Sequence, residues 1–318
     1  RLVLGPKEGL ALNNGATFSA AIMAISLYEA KYLIDLADKV ISLTLEGLRG
    51  SPDAFDERIH KARGLKGQII SAKNIRENCD GSDFIGSSNR VQDAYSLRCA
   101  PQIHGGVRDT IEFVEKIIES EINAATDNPL IFEPSIALSG GNFHGEPVAL
   151  TADFLGIALC ELGAISERRI FRLTDKKLND GLPSMLVDSE VDEGLNSGVM
   201  ILQYTAASLV LENQTLATPD SVHSLPTSGG QEDHNANAMT AAKHTLQIVK
   251  NLQHILSIEL FIAARAIEIR KRNQQGNLGE RNSRTYDIIR THVPHIGKDS
   301  LWDNQITIIK DLVKNHKI

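Results

Sequence analysis

Apolar residues recur at intervals of three and four through long proline-free stretches of this chain, the period of one face of an α-helix. The first stretch runs from about 15 to 48 and carries Phe18, Ile22, Ile25, Leu33, Leu36, Val40 and Leu43 on the repeating face. At 1.5 Å per residue it predicts a helix roughly 50 Å long. Ser51-Pro52-Asp53 reads as a cap followed by a first-turn proline and opens a second helix toward about Ile75. Further helices are predicted over about 106–124, 147–174, 192–218 and 237–272, then two shorter ones over about 280–291 and 298–315, with Pro294 between them. In the first of these, Val107, Ile111, Val114, Ile118 and Ile122 form the apolar stripe. Strand signals are confined to Leu130-Ile131-Phe132 and Ile136-Ala137-Leu138, which predict one small hairpin around Glu133-Pro134-Ser135.

Helices this long need long neighbours to bury their stripes. The pattern therefore predicts an all-α fold, a long-helix bundle with one small β-hairpin, forming a single helical-bundle domain over 1–318. Aromatic residues are only 5% of the chain, which agrees with helices rather than sheets. The net charge of −7 argues against a phosphate backbone as partner, so no nucleic acid is expected. No uninterrupted run of about 18 apolar residues occurs, so no membrane partner is expected. Cys79, Cys99 and Cys160 are odd in number and widely spaced, with neither a disulfide framework nor a zinc pattern. They suit a reducing, cytoplasmic setting. No HExxH or comparable ligand spacing is present, so no metal is expected.

The chain opens on Arg1 rather than methionine, and Arg1-Leu2-Val3-Leu4-Gly5-Pro6 lacks the apolar core of a signal peptide. Four segments between the helices are rich in side chains that position ligands: 7–15, 87–102, 126–130 continued by 140–147, and 225–234. Taken alone, Asn14-Gly15 is a turn or helix cap as readily as a site. Asp127-Asn128-Pro129 is a good turn, and Glu232-Asp233-His234 could cap the helix that follows. His144 and His234 read as hydrogen-bonded structural histidines. Arg98, beside Gln92 and Tyr95, has the planar fork that holds a carboxylate through two parallel hydrogen bonds, with a structural ion pair as the competing reading.

Gln92-Asp93-Ala94-Tyr95-Ser96-Leu97-Arg98-Cys99, Gly141-Asn142-Phe143-His144-Gly145-Glu146-Pro147 and Gln231-Glu232-Asp233-His234 together resemble the aromatic amino acid ammonia-lyases. Lys7 to Gly15 and Ser166-Glu167-Arg168-Arg169 fit the same pattern, so the resemblance spans nearly the whole chain. Cys99, His144 and Glu232 match the histidine-acting branch, where phenylalanine lyases usually carry threonine, glutamine and glutamine. Phenylalanine and tyrosine lyases and the related aminomutases stay open as alternatives. So does a non-catalytic helical scaffold or assembly fragment. A fumarase/aspartase-type lyase shares the long-helix architecture, but its Gly-Ser-Ser-x-Met-Pro-x-Lys-x-Asn signature does not occur.

The resemblance implies elimination of ammonia from L-histidine to give trans-urocanate, with a methylidene-imidazolone (MIO) cofactor and a homotetramer whose sites draw residues from several subunits. It implies that Arg98 clamps the substrate carboxylate with Asn14 beside it, and that Gln92 and Asn128 hydrogen-bond substrate or cofactor. Tyr95 would assist proton transfer, Phe143 would press on the cofactor ring, and Glu232 would meet the imidazole or amino group. The family forms the cofactor from an Ala-Ser-Gly tripeptide, which does not occur in these 318 residues. The expectation is a C-terminal portion of a larger lyase, inactive alone and partnered by the separate N-terminal segment of the same protein.

Overall fold

The computed structural model describes residues 2–188 and 194–318. Among them are eleven α-helices: α1 Glu8–Ala11, α2 Thr17–Leu48, α3 Glu57–Arg63, α4 Lys66–Asn78, α5 Tyr95–Arg98, α6 Ala100–Ile122, α7 Glu146–Thr174, α8 Met200–Leu216, α9 Ala238–Asn273, α10 Glu280–His292 and α11 Trp302–Lys314. The expected hairpin is present, with β1 Leu130–Glu133 antiparallel to β2 Ile136–Leu138 and Leu130 opposite Leu138. The fold is therefore all-α with one small two-stranded sheet. Three helices exceed 25 residues: α2 with 32, α7 with 29 and α9 with 36.

Two boundaries differ from the sequence reading. The helix expected from Pro52 toward Ile75 is broken into a short 3₁₀ turn at Asp53–Phe55, α3 and α4. Gly64 makes the break: it sits at φ 80°, closes α3 by donating to the His60 carbonyl, and turns the chain into α4. The helix expected over 106–124 starts earlier, at Ala100, because Pro101 lies in its first turn, where no backbone N–H is needed. Residues 192 and 193, where the next expected helix begins, lie outside the described residues, and α8 starts at Met200.

Contacts divide the chain into two compact units. The first comprises the residues up to Ala30, Thr110–Leu159 and Asn213–Val249. Its buried side chains include Met23 and Leu27 of α2, Val114 and Ile118 of α6, Val148 and Leu155 of α7, and Ile248 of α9. At Gly145, just before α7, a Cβ would lie 3.0 Å from the Ala238 Cβ and 3.2 Å from the Ala16 Cβ. Only small residues let the N-terminal ends of α2, α7 and α9 come this close. By length and composition α7 could cross a membrane. Most of its apolar stretch is buried, and Asp153 within it accepts the backbone N–H groups of Asp220 and Ser221 at 3.2 and 2.9 Å. That is how a core helix uses a carboxylate.

The second unit comprises Lys31–Asp109, Cys160–Glu212 and Lys250–Ile318. Leu33, Leu36, Val40 and Leu43 of α2 are fully buried there, as are Ile255 and Ile258 of α9. Several buried charges lie among them. The Glu259 carboxylate accepts from Thr44 Oγ1 at 2.8 Å, Ser166 Oγ at 2.5 Å and Arg169 Nε and Nη2 at 2.6 and 2.8 Å. Glu46 accepts from Gly279 N at 3.0 Å, Asn282 Nδ2 at 2.7 Å and Ser82 Oγ at 2.9 Å. Burial pushes its carboxyl up to about 6 against these three donors.

Candidate active site

In the first unit, the N-terminal ends of α2, α7 and α9 border an open cavity of about 770 Å³. Asn14, Phe143 and Glu232 all line it, so three of the seven side chains singled out from the sequence share one wall. Gly15 beside Asn14 sits at φ 82°, a left-handed backbone that a side chain would strain. Phe143 is 41% exposed and offers its ring to the cavity. Each helix N-terminus brings unpaired backbone N–H groups and a partial positive charge, which favour anions and developing negative charge at this end of the unit.

Glu232 is held by a tight loop. Thr227 donates its backbone N–H to the Glu232 carbonyl at 2.8 Å and its hydroxyl to Glu232 Oε2 at 2.7 Å. Between them, Ser228, Gly229 and Gly230 all have positive φ, which explains the paired glycines. Asn235 closes the loop, its Nδ2 reaching the Leu225 carbonyl at 2.5 Å, the Glu232 carbonyl at 3.2 Å and Thr227 Oγ1 at 3.3 Å. His144 Nε2 lies 3.0 Å from the His234 carbonyl, and the two rings stack at 6.0 Å. A ring nitrogen facing a carbonyl must carry the proton, so the bond fixes the His144 tautomer.

Asn128 belongs to the same unit but is not on the cavity wall. Its Oδ1 accepts from Gly140 N at 2.8 Å and Ser139 Oγ at 3.1 Å, closing the base of the hairpin, and its peptide bond to Pro129 is cis. Lys7 ties the segment before Asn14 to this turn, pairing with Asp127 at 2.6 Å and donating to the Pro129 carbonyl at 3.2 Å. The hydrogen bond from Lys7 holds the Asp127 carboxyl below its usual range.

Gln92, Tyr95 and Arg98 lie in the second unit, where Tyr95 and Arg98 meet. Tyr95 and Arg98 are the ends of α5, a single turn, and the Arg98 guanidinium lies 4.7 Å from the Tyr95 ring centroid. Arg98 Nε is buried without a hydrogen-bond partner, and among the described residues no carboxylate pairs with Arg98. The structural ion pair that competed with a ligand-binding reading is thus not formed with any described residue. The segment is anchored by Asp93, whose Oδ2 accepts from Ser51 N at 2.7 Å and whose Oδ1 accepts from Arg90 Nε at 3.1 Å. Arg90 also donates to the Leu48 carbonyl at 2.6 Å. An open groove of about 940 Å³ in this unit, beside α4 and α10, carries no comparable feature, since its Arg281 and Glu77 are paired at 2.8 Å.

Thr227, Asn235, Asp93 and Lys7 take parts that the sequence reading did not assign. Each lies inside or beside a segment singled out from the sequence, and a serine, threonine, asparagine or aspartate next to glycines or a helix start is the general signal for such a role.

The family model for aromatic amino acid lyases matches residues 1–291. The chain belongs to the aromatic amino acid lyase family. Among relatives, it is 48% identical over 320 residues to histidine ammonia-lyase of Caldanaerobacter subterraneus subsp. tengcongensis, covering 100% of this chain and 62% of that protein. It is 46% identical over 317 residues to histidine ammonia-lyase of Treponema denticola, covering 99% and 61%. Among solved structures, histidine ammonia-lyase from Trypanosoma cruzi superposes with a TM-score of 0.90 at 37% identity, over 99% of this chain and 59% of that one. The tyrosine aminomutase of Streptomyces globisporus superposes with a TM-score of 0.92 at 34% identity, over 99% and 63%. The chain thus spans about six-tenths of the length of the lyases it matches. Within the family the fold is shared across lyases and aminomutases, so discrimination between substrates rests on side chains rather than architecture.

Proposed function

We propose that the complete enzyme is a carbon–nitrogen lyase that eliminates ammonia from L-histidine, releasing trans-urocanate. The observation that carries this reading is Glu232, a carboxylate on the same cavity wall as Asn14 and Phe143. Thr227 takes its Oε2, and its Oε1 has no hydrogen bond among the described residues. An imidazole can give that oxygen an N–H or a positive charge, whereas a phenyl ring can give it neither. The names of the relatives at 46–48% identity support the same substrate.

The residues present fit a flat cofactor ring, since Phe143 offers an aromatic face and Asn14 a carboxamide beside helix N-termini that favour negative charge. The methylidene-imidazolone supplies the electrophile that turns the substrate's amino group into a better leaving group. This chain's own residues bind, orient and move protons. Arg98 holds the substrate carboxylate through its fork, with Asn14 and Gln92 as further hydrogen-bond donors. Fixing the substrate in the reactive geometry is worth several kcal/mol, on the order of 7–11 at best. Tyr95 carries a phenolic proton at the reacting end, Asn128 keeps the hairpin loop in place, and Glu232 orients the imidazole. A homotetramer, with the residues of one active site drawn from more than one copy, and a cytoplasmic location complete the reading. The three unpaired cysteines suit that location.

The test is Glu232→Gln in the complete enzyme. The specificity constant for histidine should fall at least tenfold, while residual turnover of phenylalanine changes much less. Equal losses for both substrates would mean that Glu232 acts on the amino group they share. A parent enzyme that prefers phenylalanine or tyrosine would overturn the histidine assignment.

A further inference from the structure

We propose that Thr227 and Asn235 form a hydrogen-bond relay that holds the Glu232 carboxylate in one orientation, making Thr227 a positioning residue for substrate recognition. This rests on the reading of Glu232 as the group that meets the substrate.

The polarity of the relay follows from its partners. Asn235 Nδ2 faces three oxygens, on Leu225, Glu232 and Thr227. Two of them are backbone carbonyls, which can only accept, so the amide nitrogen of Asn235 is what faces them. That nitrogen carries two protons, which the two carbonyls can take, so Asn235 braces the loop around Thr227, whose hydroxyl donates to Glu232 Oε2 at 2.7 Å. The second tie, from Thr227 N to the Glu232 carbonyl at 2.8 Å, fixes the backbone under the side chain. One residue thus holds Glu232 at both ends, and the strand-like bridge between Thr227 and Glu232 makes the arrangement a closed ring. Asn235 is itself anchored from outside this ring, because its backbone N–H donates to Ser224 Oγ at 2.7 Å. The relay uses Oε2 and leaves Oε1 for a ligand, which must bring an N–H or a positive charge.

Thr227→Val keeps the shape and the backbone bond but removes the hydroxyl donor, while Thr227→Ser restores it. Both are measured in the complete enzyme on histidine, phenylalanine and tyrosine. For the preferred substrate, Thr227→Val should lower kcat/KM about tenfold, because the Glu232 carboxylate is no longer held in one orientation. Thr227→Ser should recover most of that loss. In a Glu232→Gln background, Thr227→Val should cost less than twofold, since its effect passes through the carboxylate. A Thr227→Val loss that Thr227→Ser does not recover, or that is as large without Glu232, overturns the relay while the histidine reading stands. A parent that prefers phenylalanine or tyrosine overturns the histidine reading, and the same series on that substrate still decides the relay. Turnover of none of the three ends both.

Discussion

Arg98 shows what a single side chain can reveal before any ligand is bound. Its guanidinium leans on Tyr95, its Nε is buried without a partner, and no described carboxylate neutralises it. A buried donor left unpaired costs about 1–3 kcal/mol, so the site gains when a carboxylate arrives. Arg98→Lys keeps the charge but loses the fork and the flat face that stacks on Tyr95. In the complete enzyme it should raise KM for the amino acid at least tenfold with a smaller change in kcat, measured by steady-state kinetics. Unchanged constants would return Arg98 to a structural role. Asn14, Phe143 and Glu232 share a cavity wall, yet it was the resemblance to the family's motifs that singled them out, because Asn14 and Glu232 also stand in runs that make ordinary turns and caps. The roles of Thr227, Asp93 and Lys7 were not legible, because they are pairwise contacts. Nothing in Lys7 itself says that Asp127, 120 positions on, will receive it.

Helices were legible from period alone, but their faces were not. The stripe read along α2 splits in two: Leu33, Leu36, Val40 and Leu43 are buried, while Phe18 and Ile25 are 54% and 58% exposed. In that first part Met23 and Leu27 are the buried positions instead. An apolar face that meets the chain's own core and one that awaits another surface obey the same spacing, so periodicity cannot separate them. Element ends are likewise set by partners from elsewhere. Glu46, in the last turn of α2, accepts the Gly279 N–H and the Asn282 side chain and so caps the start of α10. Burial raises its carboxyl from 4.5 to about 6. A carboxyl raised on folding favours the folded state while protonated. That contribution is full below about pH 4.5 and is lost as pH rises through about 6, a change of about 2 kcal/mol. Glu46→Gln should flatten the dependence of stability on pH across this window, as read from denaturation midpoints between pH 4 and 7. An equally steep dependence in the variant would show that other groups set it.

At the scale of the whole molecule, much apolar surface is left uncovered. Phe18, Ile25 and Tyr28 stand exposed on α2, and Ile201, Tyr204 and Leu211 on α8, the last three between 59% and 65% exposed. Each set follows a helical spacing of three and seven, so each is a continuous face rather than scattered residues. Closed symmetric assembly covers such faces in pairs. Replacing Ile201 and Tyr204 together by glutamate should convert the proposed tetramer of the complete enzyme to smaller species in light scattering, with helical circular dichroism retained. A tetramer that persists would place the subunit contacts elsewhere. The buried Glu259 carboxylate bears on how such a molecule can move. Its four donors come from Thr44 on α2 and from Ser166 and Arg169 on α7, while Glu259 itself rides on α9. Sliding α9 by a turn, about 5.4 Å, would carry the carboxylate away from all four donors, and sliding α7 would remove three of them. The three helices are pinned in register like pages through a single staple.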